Sequence, residues 1–331
     1  MVVTMKDLAE KAGVSVVTVS RALNDKPDIS PRTKEMIKRL ARESNYSPDA
    51  LARSLVTKKT KTIGIIVPSS TDAFYAEVIG GISQESGNRG YSVILSTSHD
   101  SADEELVQMK MLFEKRVDGL LVYPTQEDDR YIEVLRNSPI PYVFLNRHVD
   151  QLNCDYVIND NVYGTYAAVD HLLKNGYRNI TYICAKPGAS SGRERIQGCR
   201  QAFNENGIDE KLLDIVTCDE TIECCYDFVL EALRSKRKMD AIFAWDDRLA
   251  IGVVKALLES GVRIPQDIAV VGYDDIEISA YLYPPLTTVQ QPTFQIGERA
   301  TRILLDKLES GSDTDVLQIV LKPKLIVRGT T

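Results

Sequence analysis

Residues 4–55 read TMKDLAEKAGVSVVTVSRALNDKPDISPRTKEMIKRLARESNYSPDALARSL, and the N-terminal architecture follows from them. Thr4 stands as an N-cap three residues before Asp7, and Gly13 is a natural stop, so the spacing predicts a helix over Met5–Ala12. Ser15 caps a second helix over Val16–Leu23, in which Val19, Ala22 and Leu23 face inward. Ser30 and Pro31 supply a cap and a first-turn proline for a third helix reaching about Ser44, with Met36, Ile37, Leu40 and Ala41 on its inner face. Two short helices joined at Gly13-Val14-Ser15 have helix-turn-helix spacing, and Leu8, Val19 and Leu40 make a minimal core. In that arrangement the second helix enters the major groove with its N-terminal residues against base edges. Those residues are Ser15, Val16, Val17 and Thr18, with Arg21 one turn later. Arg21 suits a bidentate pair with guanine, and the valines suit thymine methyls. Thr4, Ser15, Thr18, Ser20, Asn24 and Thr33 sit at cap or groove-edge positions suited to phosphate oxygens. Taken singly, each is more often just a helix cap; the joint pattern is much more specific.

Charge points the same way. The chain of 331 residues has a formal net charge of −7, but residues 1–61 carry 13 Lys and Arg against 7 Asp and Glu, and the remainder carries 27 against 40. A basic head on an acidic body is the electrostatic pattern of a nucleic-acid binder, although a solvated basic helix face would look alike on charge alone. Apolar residues make 44% and charged residues 26%, so disordered, collagen-like and coiled-coil readings fall away. No apolar run reaches the ~18 residues of a membrane helix, and the N-terminus turns charged at once, so neither a span nor a secretory signal is expected and the expected location is cytoplasmic. The six cysteines form no CxxC pair and no zinc spacing with the three histidines. They are expected to be free thiols, with no metal and no cofactor, and the vicinal Cys224-Cys225 is the pair open to redox chemistry.

From Thr62 the hydrophobic period changes. TIGIIVP reads as a buried strand, followed by a helix over Ala73–Arg89 and the strand YSVILST. Helix 103–115, strand GLLVYP, helix 128–137 and strand PYVFLN continue the alternation. A second series follows Asp160-Asn161: helix 162–175, strand NITYICA, helix 193–206, a strand near 213–218 and helix 223–233. Strand AIFAW, helix 248–260 and strand IAVVGYDD complete it, before a late helix over 294–309 and final strands in QIVLKPKLIVRG. Strict alternation of this kind means an α/β fold of two Rossmann-like lobes with parallel sheets covered on both faces. No GxGxxG, P-loop or GxSxG stands at a strand–helix junction, so nucleotide-cofactor and hydrolase readings lack their motifs. Ligands of open α/β sheets lie at the carboxyl ends of strands, where Phe74, Tyr75, Tyr123, Asn146-Arg147, Ser190 to Arg195, Trp245 to Asp247 and Asp274-Asp275 fall.

The run over residues 4–55 closely resembles the DNA-binding head of the lactose-repressor (LacI/GalR) family. The body is similar to the same family through DAFYAEVIGGI, RVDGLLVYP, PYVFLNR, INDNVYGTYAAVDHLLKNGYRNI, AIFAWDDRLAIGV, VRIPQDIAVVGYDD and PPLTTVQQP. The resemblance implies a helix-turn-helix domain over 1–46, a hinge helix and linker over 47–61, and an effector-binding and dimerisation domain of the periplasmic-binding-protein type over 62–331. Its N-lobe would take about 62–160 and 292–321, and its C-lobe about 161–291 and 322–331. The hinge helix, Asp49–Val56, is only about two turns and too short to stand alone in water. By resemblance it forms on DNA as a pair from two subunits, with Leu55 wedged into a minor-groove step, Ala52 permitting close approach, and Arg53 and Lys58 to Lys61 on phosphates. A plain linker is the alternative.

In the body the resemblance implies effector contacts from Arg195 and Asp274, with Phe74, Tyr75, Tyr123, Asn146, Ser191, Glu220, Asp246 and Gln291 lining the same cleft. Three features depart from the family's commoner pattern: Val16 and Val17 replace polar readers, Asn146 replaces Asp, and Asp246 replaces Asn. Glu220, Asp246 and Asp274 against Arg195 leave the cleft net negative, which favours a neutral sugar, although Glu220 also reads as an ordinary surface charge. The chain ends at Thr331 without the leucine-heptad tail of tetrameric members, so a homodimer is expected. The reading is a ligand-responsive repressor on a pseudo-palindromic operator of double-stranded DNA. A cytosolic solute-binding module and a carbohydrate-acting enzyme are the alternatives.

Overall fold

The computed structural model describes residues 3–46, 59–125, 129–311 and 315–331, and the chain divides into two compact units, Met1–Thr60 and Lys61–Thr331. In the first unit, α1 (Met5–Ala12), α2 (Val16–Leu23) and α3 (Pro31–Glu43) enclose Leu8, Ala9, Val19, Ala22, Ile37 and Ala41. Six small or medium side chains are a thin core, so the caps matter. Thr4 and Asp7 form a reciprocal capping box, Gly13 ends α1 at φ 65°, and Ser15 and Ser30 accept from the backbone of Thr18 and Thr33 at 3.1 Å each. Leu40 and Tyr46 pack partly buried against this core. The hinge segment with Ala52, Arg53 and Leu55 lies outside the described residues.

The second unit holds two six-stranded sheets. The first has the order β11-β5-β4-β3-β1-β2 and is parallel throughout, from β1 (Thr62–Val67), β2 (Ser92–Thr97), β3 (Gly119–Val122), β4 (Tyr142–Leu145), β5 (Asp155–Asn159) and β11 (Gln318–Leu321). The second has the order β12-β10-β9-β8-β6-β7, from β6 (Ile180–Cys184), β7 (Leu213–Thr217), β8 (Ala241–Ala244), β9 (Ala269–Asp274), β10 (Thr287–Gln290) and β12 (Lys324–Ile326), and only β12 runs antiparallel. The chain crosses between sheets after β5, after β10 and after β11, which defines an N-lobe and a C-lobe.

Helices α4 (Ala73–Asn88), α5 (Ala102–Glu114), α6 (Asp129–Arg136) and α11 (Thr293–Ser310) cover the N-lobe sheet, while α7 (Asn161–Lys174), α8 (Ser190–Glu205), α9 (Ile222–Arg234) and α10 (Asp247–Glu259) cover the C-lobe sheet. Helices α4 and α11 meet through Gly81 and Gly297: a Cβ on either would overlap the backbone carbonyl oxygen of Phe294 or of Val78.

Three features differ from the sequence reading. Strands β5 and β10 escape the alternation because no α-helix separates either from the strand before it, and TTVQ is short and polar. In β10 the buried Thr288 hydroxyl donates to Asp247 at 2.5 Å, and the Thr287 amide donates to the Thr330 hydroxyl at 2.8 Å. Helix α8 starts at Ser190, a turn earlier than expected, which sets Ser191 and Arg195 four residues apart on one face. The expectation of six free thiols is also corrected: Cys218 and Cys224 form a disulfide, because the short β7–α9 connection sets them side by side. Cys154, Cys184, Cys199 and Cys225 are free and buried.

Candidate DNA face and inter-lobe site

On the head, α2 turns Val19 and Ala22 inward and leaves Val16 43% and Val17 66% exposed. The two adjacent valines bury little within the unit and leave an apolar spot on the outer face of α2. Val16, Val17, Ser20, Arg21 and Asn24 line one concavity of about 500 Å3 together with Met5 and Lys26. The Arg21 guanidinium already makes a two-pronged pair with Asp28, at 2.7 Å through both Nε and Nη2. That fork holds it extended beside the valines, and Asp28 is the nearby residue that sequence reasoning missed. Thr4, Ser15 and Thr33 sit at helix starts, where Thr18 and Thr33 also share hydroxyl contacts with Ser15 and Ser30 at 2.9 and 2.8 Å. Asn24 ends α2 and donates to the Ser20 carbonyl at 2.8 Å.

In the body, the carboxyl ends of both sheets face each other. The N-lobe contributes an aromatic corner: Phe74, Tyr75 and Tyr123 meet edge to face, with centroids 5.1 Å apart for Phe74–Tyr75 and for Tyr75–Tyr123. Asn146, in the left-handed region at φ 55°, aims its amide at the Tyr123 hydroxyl at 3.5 Å. Burial pushes the Tyr75 phenol well above its ordinary value, and Glu220 from the opposite lobe adds to the effect.

The C-lobe contributes charge. Arg195, buried at 4% exposure, lies between Trp245 and Tyr273, with its guanidinium carbon 4.3 and 3.6 Å from the two ring centroids, and donates to the Trp245 carbonyl at 2.6 Å. Asp274 ends β9 at φ 107° and accepts from Gln291 at 2.6 Å. Burial pushes its carboxyl well up, and the Arg195 charge opposes that rise. Asp246 caps α10 by accepting from the Leu249 amide at 2.7 Å, and burial raises it to about 6. Its neighbour Asp247 accepts from Ser279, Thr288 and Ile276, and burial raises it to about 7.

The lobes are tied across the cleft. Arg248 donates to Asp72 at 2.5 Å, Lys186 pairs with Asp100 and, at 3.1 Å, with Glu220, and the His148 amide donates to Ser190 at 3.2 Å. Asn146 Oδ1, Ser191 Oγ and Gln291 Oε1 are buried without a hydrogen-bond partner at this junction. Buried polar atoms of this kind are normally satisfied, so each of the three is an open acceptor or donor beside a strand end or helix start. Of the ten cleft residues read from sequence, the N-lobe set and the C-lobe set each form one group. None of the ten lines the neighbouring cavity of about 590 Å3, which is bounded by Asp100, Thr125, Arg147, His148, Lys186 and Ser190. Sequence reasoning missed Asp72, Asp100, Lys186 and Arg248 as inter-lobe ties; all four follow a strand end or open the next helix, which is the signal that could have found them.

Among the described residues no helix is long and apolar enough to cross a membrane, and no group of three His, Cys, Asp or Glu could hold a metal ion. Residues 4–49 match the family profile of bacterial regulatory proteins, lacI family, and residues 169–331 match a periplasmic binding protein-like domain. The chain is 34% identical over 332 residues to the HTH-type transcriptional repressor PurR of Vibrio atlanticus, covering 99% of this chain and 98% of that protein. Among solved structures, it is similar to the lac repressor dimer bound to operator and the anti-inducer ONPF, with a TM-score of 0.89, 28% identity and coverage of 100% of this chain and 99% of that one. It is also similar to the transcriptional regulator CelR in complex with cellobiose, with a TM-score of 0.75, 31% identity and coverage of 99% and 100%. The chain belongs to the lacI family of bacterial regulatory proteins and is a DNA-binding transcriptional repressor, not an enzyme.

Proposed function

We propose that the protein is a cytoplasmic, effector-responsive repressor that binds a pseudo-palindromic operator as a homodimer and takes a neutral, polyhydroxylated molecule between its lobes. The observation that carries the effector reading is the buried polar set at the strand ends, in which the Arg195 charge acts on Asp274, Asp274 accepts from Gln291, and Asn146, Ser191 and Gln291 each keep one buried oxygen without a partner. Acceptors beside a buried guanidinium suit hydroxyl groups, and the Phe74, Tyr75 and Tyr123 rings suit the apolar face of a sugar ring. The cellobiose held by CelR supports the same class. The aromatic corner also favours a second reading, a flat heteroaromatic base stacked on the same rings.

Self-association is supported by Tyr281 and Tyr283, 76% and 89% exposed on the C-lobe next to the half-exposed Ile278. Two heads are needed to read two half-sites. On DNA, Arg21 and the two valines would read base edges, while Thr4, Ser15, Thr18, Ser20, Asn24 and Thr33 would meet phosphates.

The test is a thermal-shift screen with neutral mono- and disaccharides in one arm and free nucleobases in the other, followed by calorimetry on Asp274→Asn. The substitution keeps volume and replaces one carboxyl oxygen by an amide donor, so ligand affinity falls by about one to two decades in concentration. Operator affinity without ligand, read by gel shift on DNA flanking the coding region, stays near wild type. Stabilisation by nucleobases alone would replace the sugar reading with the second one. Collapsed DNA binding with unchanged ligand affinity would make Asp274 a structural residue.

A further inference from the structure

The Cys218–Cys224 disulfide closes a short loop, and that loop holds the C-lobe ends of two bridges between the lobes. The Glu220 carboxylate receives Lys186, which also pairs with Asp100 of the N-lobe. The Glu220 backbone carbonyl accepts from Arg248 at 3.3 Å, and the same guanidinium donates to Asp72 of the N-lobe. We propose that Cys218 and Cys224 are a thiol–disulfide modification site through which low-molecular-weight disulfides and thiols set how firmly the two lobes are held together. The proposal is independent of effector identity and of the operator.

The placement favours this pair over the other cysteines. Cys224 is the third residue of the thirteen-residue α9, with its amide bonded to the Thr221 cap at 3.2 Å, and it is only half-buried. The amide dipoles at a helix N-terminus stabilise a thiolate there, which is the attacking form. Cys154, Cys184, Cys199 and Cys225 are buried, and burial pushes Cys154 and Cys225 up to about 12, so neither is a thiolate at neutral pH. Cys218 is itself buried at 5% exposure, but Asp219, Thr221 and Glu223 around Cys224 are exposed, so a small disulfide reaches Cys224 first and Cys218 completes the bond from within.

The chemistry is thiol–disulfide exchange with a low-molecular-weight disulfide, RSSR. The Cys224 thiolate attacks one sulfur of RSSR and releases RS⁻, which leaves a mixed disulfide. The Cys218 thiolate then attacks the Cys224 sulfur and releases the second RS⁻. The two cysteine protons end on the two released thiolates, so two protein thiols are oxidised and one RSSR is reduced to two RSH. In a reducing compartment the equilibrium returns the pair to thiols, which is where a reversible device has use. Reduction frees the backbone around Glu220, and both inter-lobe bridges lose their fixed C-lobe end.

The experiment uses the full chain, reduced with dithiothreitol and then held with or without oxidised glutathione. Denaturing alkylation and intact mass count the thiols, peptide mapping locates the bond, and hydrogen exchange is followed on each sample. The expected result is a Cys218–Cys224 bond in the folded protein, two alkyl groups fewer, and amide exchange at least threefold slower both in the 219–223 loop and around Asp72 and Arg248. The Cys218→Ser/Cys224→Ser variant exchanges at the reduced level with or without oxidant. Cys224→Ser alone serves if the double variant fails to fold; it accepts at most one glutathione and keeps the reduced exchange level. Failure of the bond to form in the folded chain overturns the proposal. So does a bond that leaves the Asp72 and Arg248 segments unchanged.

Discussion

The two lobes share one strand order and differ at the ends of their strands. β1, β2, β3, β4, β5 and β11 of the N-lobe occupy the sheet positions that β6, β7, β8, β9, β10 and β12 occupy in the C-lobe. Yet the N-lobe sets the rings of Phe74, Tyr75 and Tyr123 at its strand ends beside the charges of Asp72 and Asp100, and the C-lobe sets Arg195, Asp246 and Asp274 at its own, backed by the internally bonded Asp247. The repeated topology therefore sets where residues converge, and the few residues after each strand set what chemistry converges. A ring-lined half tolerates solvent and opening. A half built on buried charge is satisfied only while its internal partners stay in place, so perturbing it should damage the lobe itself as well as ligand response.

The sharpest way to break this contrast is Arg195→Leu. Leucine fills part of the space between Trp245 and Tyr273 but leaves Asp274 buried without its cation, and removing one member of a buried pair costs about 3–5 kcal/mol. Chemical denaturation should show that loss in the body. Tyr75→Leu, on the opposite lobe, should move the midpoint far less; equal losses would end the distinction between the lobes. Next in size is Gly297→Ala in the N-lobe, where the added methyl meets the Val78 carbonyl and must push α4 and α11 apart, for about 2–3 kcal/mol. A neutral result there would mean that the N-lobe helices have slack that the geometry does not show.

The alternation of strands and helices was legible in the sequence because most strands are apolar runs and most helices carry caps. β5 and β10 were not: β5 follows β4 with no helix between, and β10 lacks the apolar run of a buried strand because it satisfies Thr287 and Thr288 through Thr330 and Asp247, residues distant in sequence. The strand-end positions of the candidate cleft residues were legible, since Asn146 follows β4 directly, Asp246 lies two residues past β8 and Asp274 closes β9. Asp72, Asp100, Lys186 and Arg248 carry a strand-end or helix-start position as their local signal, but which of them pair across the lobes is a property of the closed geometry that the position alone does not show. The Cys218–Cys224 bond escaped for the same reason.

Proton linkage distinguishes the lobes with a smaller effect. Asp246 and Asp247 ionise from about 3.8 in an unfolded chain, while burial raises them to about 6 and about 7 in the fold. Between pH 4 and 7 the unfolded chain releases these protons and the folded chain keeps them. The unfolded state then binds fewer protons, so this contribution to stability is present at the acid end and is lost as pH rises across that window. In the N-lobe the comparable carboxyl is Glu105, also raised by burial and held by Thr125. Calorimetric scans at pH 5 and 7.5 should give a lower midpoint at the higher pH, and Asp247→Asn should lower both midpoints while reducing their difference. A midpoint that rises with pH in the wild type and not in Asp247→Asn would reverse the assignment.

The smallest expected effect lies at the contact between the lobes. Arg248 is 35% exposed and Asp72 12%, and the pair bridges α10 to the cap of α4 at 2.5 Å. A half-solvated ion pair contributes about 0.2–1 kcal/mol, because water screens the attraction and ordering a long side chain opposes it. Arg248→Met keeps most of the aliphatic stem and removes the charge, so neither lobe loses its own core. Asp72 retains its other role, accepting the Phe74 amide at 3.0 Å as the cap of α4. The expected outcome is therefore a nearly unchanged denaturation midpoint together with more frequent lobe opening, seen as a larger radius of gyration in solution scattering and faster amide exchange around Asp72 and Glu220. Arg195→Leu should do the reverse, lowering the midpoint strongly. If Arg248→Met instead destabilises the chain as much as Arg195→Leu does, the bridge belongs to the body's core and the lobes do not open as separate units.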